Sequence, residues 1–226
     1  RVLPVADVDA SSVPYMSMVV VPGKDLRADA AGRAASSAGS PTTGPVPAEG
    51  SPTEAPIGEV VVIGLGPGPG RWLTPEASAA LAEVGHVIGY APYVNRVPQR
   101  EGLVRHASGN TVEVERARDA LELAREGERV AVVSGGDAGV FGMASAVFEA
   151  ADTHGYGDVP VRVLPGVTAA QAVAARAGAP LGGDFAIMSL SDRLKPWHVI
   201  QRRPRAAADA DLGVAVYNPA SRRPTG

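Results

Sequence analysis

The chain has 226 residues, of which 45% are hydrophobic but only 4% aromatic, and its formal net charge is -3 at pH 7. That length suits one large domain or two small ones, and the slightly acidic balance argues against a general nucleic-acid binder. The absence of cysteine excludes disulfides, thiolate nucleophiles and cysteine-based metal sites, and fits a reducing, cytoplasmic setting.

The chain opens on Arg1-Val2-Leu3-Pro4, with neither an initiator methionine nor the apolar centre of a secretory leader. Tyr15 to Val21 is a short apolar run of strand length, stopped by Pro22-Gly23. Residues 1–23 therefore read as the remnant of an upstream domain, and the strand as an orphan. Residues 24–56 are dominated by Ala, Gly, Ser, Thr and Pro, which cannot bury enough surface to offset ordering entropy. They are expected to form a disordered linker.

A compact domain is expected from residue 57 to 181. Glu59-Val60-Val61-Val62-Ile63 reads as a buried strand, followed by the loop Gly64 to Gly70. Thr74-Pro75-Glu76 is a helix start, with Thr as N-cap and Pro at the first helical position. His86 to Tyr90 is a second strand. Thr111 to Glu126 is predicted helical, closed by Gly127. Arg129 to Val133 is a third strand running into Ser134-Gly135-Gly136-Asp137-Ala138-Gly139, and a helix follows to about Thr153. Val161 to Leu164 is a fourth strand, ending in Pro165-Gly166-Val167-Thr168 before an Ala-rich helix. Strands alternating with helices through short loops predict an α/β domain with a mainly parallel sheet.

The pattern restarts at residue 182. Phe185 to Leu190 is a strand, Pro196 to Asp209 a helix interrupted at Pro204, and Leu212 to Tyr217 another strand. Residues 182–226 read as the truncated start of a second α/β domain. Its edges should be unpaired, with Val214 and Val216 lacking a covering layer. Both termini read as boundaries of a fragment, which by itself is expected to be inactive. No apolar run reaches the roughly 20 residues that span a bilayer.

Three strand ends carry Gly-rich or Pro-Gly turns: 64–70, 134–139 and 165–168. One such loop alone reads either as an ordinary tight turn or as part of a site. Three on one edge of a parallel sheet form a crevice where ligands bind, with Gly admitting close approach of the backbone. The dinucleotide pattern G-x-G-x-x-G is not met at Gly64 or Gly66, and no acid follows Gly89-Tyr90, which disfavours NAD. A Gly-Lys-Ser/Thr phosphate loop is absent. Asp137 reads either as an acceptor for a ligand or as the N-cap of the next helix. His86, His106, His154 and His198 have no metal-ligand spacing, so no metal is assigned, and Trp197 reads as a packing residue.

These motifs, in this order, resemble the tetrapyrrole (precorrin) methylases. The family's G-x-G-P-G loop matches Gly64 to Gly68, its G-D motif matches Gly135 to Gly142, and its P-G-x-[ST]-A motif matches Pro165 to Ala169. Further stretches resemble the precorrin-3B (C-17) methyltransferase branch. They are Val87-Ile88-Gly89-Tyr90 with Tyr93, Gly178 to Leu181 through Asp184-Phe185, Ser189 to Asp192 with Pro196-Trp197, and Tyr217-Asn218-Pro219. Pro14 to Val20 is similar to the last strand of precorrin-2 (C-20) methyltransferase, implying fusion to an upstream methyltransferase domain.

The resemblance implies two α/β domains with S-adenosylmethionine between them. By position it implies cofactor contacts from Pro67, Gly135, Gly136, Asp137, Val140, Thr168, Ala169 and Asn218. It also implies a precorrin tetrapyrrole substrate methylated at ring carbon 17 with ring contraction, and a homodimer. After Gly68 the loop continues Pro69-Gly70, where many relatives carry an acid, so no acid/base role carries over. No covalent nucleophile or Ser-His-Asp set is evident, and no catalytic residue is assigned. From Arg193 to Gly226, Arg193, Lys195, Arg202, Arg203, Arg205, Arg222 and Arg223 face only Asp209 and Asp211, a net +5. Arg forks suit a carboxylate-rich substrate, although each cation singly reads as part of a solvated helix face.

Overall fold

The structure is a computed structural model, and it describes residues 18–21, 57–109, 112–192 and 195–219. The predicted linker at 24–56 and the ends of the chain lie outside the described residues.

Met18–Val21 forms β1, Glu59–Gly64 β2, His86–Tyr90 β3, Val104–Ser108 β4, Arg129–Ser134 β5, Val161–Leu164 β6, Phe185–Ser189 β7 and Gly213–Tyr217 β8. The helices are α1 (Pro75–Glu83), α2 (Ala91–Val94), α3 (Glu113–Arg125), α4 (Ala144–Thr153), α5 (Ala169–Ala174) and α6 (Trp197–Asp209). Strands β2 to β6 make one parallel sheet in the order β4-β3-β5-β2-β6. The central strands are Val runs buried on both faces, as a parallel sheet covered by helices requires.

Alternation along β2 divides the core. Val60 and Val62 point to the α3/α4 side, where they pack with Leu121, Val132 and Val147. Val61 and Ile63 point to the α1 side, with Leu81, Val87 and Val133. All of these side chains except Leu81 are fully buried, and each such Val, Leu or Ile contributes about 1.5–3 kcal/mol. The entry to α1 is capped as expected: Ala77 N donates to Thr74 Oγ1 at 3.2 Å, worth about 1 kcal/mol.

Five strands form this sheet where four are expected. β4 went unread because Val104-Arg105-His106-Ala107-Ser108 carries polar residues at an edge, where only one strand pairs with it and half-exposure is tolerated. The one-turn α2 after Tyr90 was also unread, and α3 begins at Glu113 instead of Thr111.

The second sheet has the order β1-β8-β7. β7 and β8 are parallel, while β1 pairs antiparallel with β8, Met18 opposite Tyr217 and Val21 opposite Val214. Two expectations fail here for one reason. The strand at 18–21 is not an orphan, and β8 is central instead of an open edge. Val214, Ala215 and Val216 are buried, with Ala207 of α6 packed against the two valines. Helix α6 also runs through Pro204 without a break, although that ring offers no N–H to the carbonyl of Ile200. Trp197, expected to pack, is 45% exposed. Among the described residues no helix is long and apolar enough to cross a membrane.

Candidate functional site

The loops after β5, β2 and β6 leave three adjacent strands on the same edge, and they touch backbone to backbone. Gly66 and Gly136 form a bridge, Gly66 N donating to Gly136 O at 3.0 Å and Gly136 N to Gly66 O at 2.9 Å. Leu65 N donates to Ser134 O at 2.9 Å. A Cβ on Gly166 would lie 2.3 Å from Gly136 O and 2.7 Å from Gly64 O. A Cβ on Gly64 would meet Gly136 O at 2.7 Å. These glycines are therefore required by loop-on-loop packing, whereas the sequence reading ascribed them to approach of a ligand. At Gly68 and Gly70 a Cβ would meet nothing within 4 Å.

Asp137 is not a helix cap, since the N-cap position of α4 is Met143. Its carboxylate ties two loops: Oδ1 accepts from Gly139 N at 2.8 Å and Oδ2 from Gly166 N at 2.9 Å. Arg96, just beyond α2, clamps the first loop by donating to the carbonyls of Leu65 (2.5 Å), Gly66 (3.0 Å) and Gly68 (2.6 Å). Burial lowers the pKa of this guanidinium, with Tyr93 opposing the effect. The group stays charged at neutral pH.

The second sheet reaches the same edge through Tyr217 at the end of β8. Its hydroxyl bonds Thr168 Oγ1 and accepts from Ala170 N at 3.0 Å. The Phe141 ring lies 5.2 Å from the Tyr217 ring. Asn218 follows with φ 51°, its Nδ2 donating to Ser189 Oγ at 3.1 Å.

An open cleft of about 240 Å³ lies between the two sheets. Pro67, Gly135, Gly136, Asp137, Val140, Thr168, Ala169 and Asn218, the eight residues singled out from the sequence, all line it. Its wall also holds Gly66, Tyr93, Arg96, Phe141 and Tyr217. None of these five was assigned as a contact from the sequence, although Gly66, Tyr93, Phe141 and Tyr217 lie within the matched stretches and Arg96 lies outside them. Arg96 gives no local signal because it acts on a loop 28 to 31 positions earlier in the chain. Phe141 sat inside the quoted Gly135–Gly142 motif, and an aromatic directly before Gly142 was the available signal. The packing of Tyr93 on Gly135 is equally non-local: a Cβ at Gly135 would fall 2.6 Å from Cε1 of Tyr93.

The chemistry of the wall is selective. Its one carboxylate, Asp137, keeps lone pairs beyond the two it commits, and its one cation, Arg96, is spent on three carbonyls. Such a wall suits a cationic, hydrogen-bonding small molecule better than a polyphosphate. Among the described residues no His, Cys, Asp or Glu cluster could hold a metal ion.

The architecture and the cleft define an open α/β protein with a crevice at the carboxyl ends of its parallel strands, where proteins of this architecture bind small molecules. Comparison with known proteins is specific. Residues 59–225 match the family of Tetrapyrrole (Corrin/Porphyrin) Methylases, and the chain belongs to that family. It is 50% identical over 221 residues to the cobalamin biosynthesis protein CobIJ of Mycobacterium tuberculosis, an alignment covering 98% of this chain and 38% of that one. It is 50% identical over 167 residues to the precorrin-3B C(17)-methyltransferase of a Sinorhizobium species, covering 73% of this chain and 66% of the relative. The crystal structure of the methyltransferase CobJ superimposes with a TM-score of 0.70 at 54% identity, covering 72% of this chain and 68% of the other. The chain thus spans about two fifths of the length of the mycobacterial relative.

Proposed function

We propose that this chain belongs to an S-adenosylmethionine-dependent methyltransferase of cobalamin biosynthesis, which methylates ring carbon 17 of precorrin-3B with ring contraction. The 50% identity to a precorrin-3B C(17)-methyltransferase carries the reading, because the aligned stretch of 167 residues is long enough to hold all three glycine loops. The cleft fits the cofactor in kind. Asp137 suits the cationic end, Val140 and Ala169 offer apolar surface, and Thr168, Asn218 and the Gly135-Gly136 backbone offer hydrogen bonds. The eight lining residues are the proposed contacts. The domain boundary between residues 181 and 182, a homodimer, and an upstream methyltransferase module in the same polypeptide belong to the same reading. Alignment with CobIJ across 98% of the chain supports the last of these.

The cofactor supplies an already activated methyl group, so the protein's task is alignment. Asp137, Arg96 and the glycine contacts hold the three loops as one wall, while Tyr217 ties the second sheet to the first at Thr168. A wall that does not yield keeps acceptor carbon and methyl in line, and such positioning supplies roughly 7–11 kcal/mol. No covalent residue is needed. The test is incubation of the full-length protein with precorrin-3B and S-adenosylmethionine, followed by mass spectrometry and carbon-13 NMR. Addition of one methyl group at carbon 17 is expected. Methylation at another ring carbon would replace this reading with a different member of the pathway, and no methylated tetrapyrrole at all would overturn it.

A further inference from the structure

Phe141 combines three features that packing does not explain. It is a large aromatic left 54% exposed. Its backbone sits at φ 53°, in the left-handed region that a bulky residue rarely adopts. It is also the single residue common to three cavities: the cofactor cleft, a pocket beside Tyr90 and Arg116, and a pocket between β7 and α6.

The surrounding loop imposes this conformation. Asp137 accepts from Gly139 N, Met143 N donates to Ser134 Oγ at 3.0 Å, and Ala144 N donates to Ala138 O at 3.0 Å. Gly142 lies so close to Ala138 that a Cβ there would be 2.5 Å from its carbonyl oxygen. The turn is closed from both ends, and Phe141 is its outward tip. Backbone strain at an exposed apolar side chain, with the Tyr217 ring 5.2 Å away, marks a residue held in place for a ligand.

The pocket between β7 and α6 shows what such a ligand carries. Met188, Leu190 and Ile200 give it an apolar lining, and Lys195 and Arg203 stand on its wall. Lys195 Nζ donates to the carbonyl of Ser189 at 2.9 Å. Among the described residues, neither cation has a carboxylate within ion-pair reach. An aromatic face flanked by apolar side chains and two such cations matches a broad conjugated ring with carboxylates at its rim.

We propose that Phe141 is the platform on which the tetrapyrrole face stacks beside the cofactor cleft, with Lys195 and Arg203 receiving rim carboxylates. This rests on the methyltransferase reading and adds to it the side chains that orient the acceptor.

The probes are uroporphyrin I, an octacarboxylate, mesoporphyrin, a dicarboxylate, and S-adenosylhomocysteine, each titrated against this chain, with melting temperature measured in parallel. Phe141→Gly should relieve the backbone strain and melt no lower than the parent, yet bind uroporphyrin about tenfold or more weakly. Phe141→Tyr should restore uroporphyrin binding to within about threefold, and Phe141→Gly should weaken S-adenosylhomocysteine clearly less than it weakens uroporphyrin. Lys195→Gln with Arg203→Gln should narrow the preference for uroporphyrin over mesoporphyrin, most clearly at low salt. Uroporphyrin binding by Phe141→Gly equal to the parent's overturns the platform. So does parallel loss of both ligands and of melting temperature, which would make Phe141 a structural residue. A parent that binds S-adenosylhomocysteine but no porphyrin overturns this inference alone, whereas a parent that binds neither removes the methyltransferase reading as well.

Discussion

Replacement of Asp137 by alanine removes the acceptor of two backbone N–H groups on different loops, Gly139 at 2.8 Å and Gly166 at 2.9 Å. Hydrogen bonds to a charged group contribute about 1.5–3 kcal/mol each, and the exposed Gly139 bond must be discounted for solvent. A net loss on the order of 2–3 kcal/mol is expected, which for a chain of this size lowers Tm by about 4–12 °C. The loop after β6 is then free to part from the loop after β5, and Thr168 and Ala169 move with it. Since 1.4 kcal/mol is tenfold in affinity, a cleft that must reassemble to bind should show a dissociation constant for S-adenosylhomocysteine raised by about tenfold or more. Differential scanning fluorimetry and calorimetric titration measure the two effects on the same samples. Asp137→Asn keeps one acceptor oxygen and should fall between the alanine variant and the parent in both. If Asp137→Ala melts with the parent, the two bonds do not tie the loops. If it loses the ligand at unchanged Tm, Asp137 acts by direct contact alone.

Three other outcomes follow from the same contacts. Gly166→Ala places a Cβ 2.3 Å from Gly136 O, so the loops must separate at a cost of about 1–3 kcal/mol; a Tm equal to the parent's would refute that packing. Arg96→Lys keeps the charge but cannot fork onto three carbonyls, so exchange of the Gly66 amide, which donates to Gly136 O, should accelerate by about tenfold; unchanged protection would show that the clamp is not needed. Burial, and then the adjacent His86, lower the pKa of His106 below its ordinary value near 6.5, with Asp119 opposing. The folded state therefore binds fewer protons than the unfolded chain at that site. The stabilisation is present above about pH 6.5 and is lost as pH falls. Tm should drop between about pH 7.5 and 5.5, less steeply in His106→Gln, and an identical slope in that variant would refute the assignment.

Residues with their own periodicity or cap were legible. Val60 to Ile63 announce a buried parallel strand, and Thr74-Pro75-Glu76 announces a helix start, because each pattern is complete within a few positions. What escaped depends on partners distant in sequence. β4 is polar because it is an edge, and nothing local says that β3 will lie beside it. α6 tolerates Pro204 although the residue's intrinsic preference is to break a helix. β8 looked like an open edge because the strand that pairs with it, Met18–Val21, lies nearly 200 residues earlier, while Val214 and Val216 are covered by Ala207 of α6. The gathering of Pro67, Gly135, Asp137 and Thr168 in one cleft was legible from strand ends, because all three loops leave parallel strands on the same edge, whereas Asn218 of the other sheet came only from the family resemblance.

The glycines carry a different lesson, since a correct location was reached through an incomplete reason. Gly64 and Gly166 occupy the space between loops and have no room for a Cβ against neighbouring backbone, whatever is bound outside. Gly68 and Gly70 meet no such constraint, so they are the loop positions where steric need within the chain does not account for glycine. The motif therefore mixes two demands that a sequence writes in the same letter. One holds three loops together as a wall, through the Gly66–Gly136 bridge and the Asp137–Gly166 bond. The other leaves the rim of that wall bare. A wall assembled from loops that exclude one another's side chains can be displaced only as a unit. That unity makes an alignment site out of segments which, taken singly, would be ordinary turns.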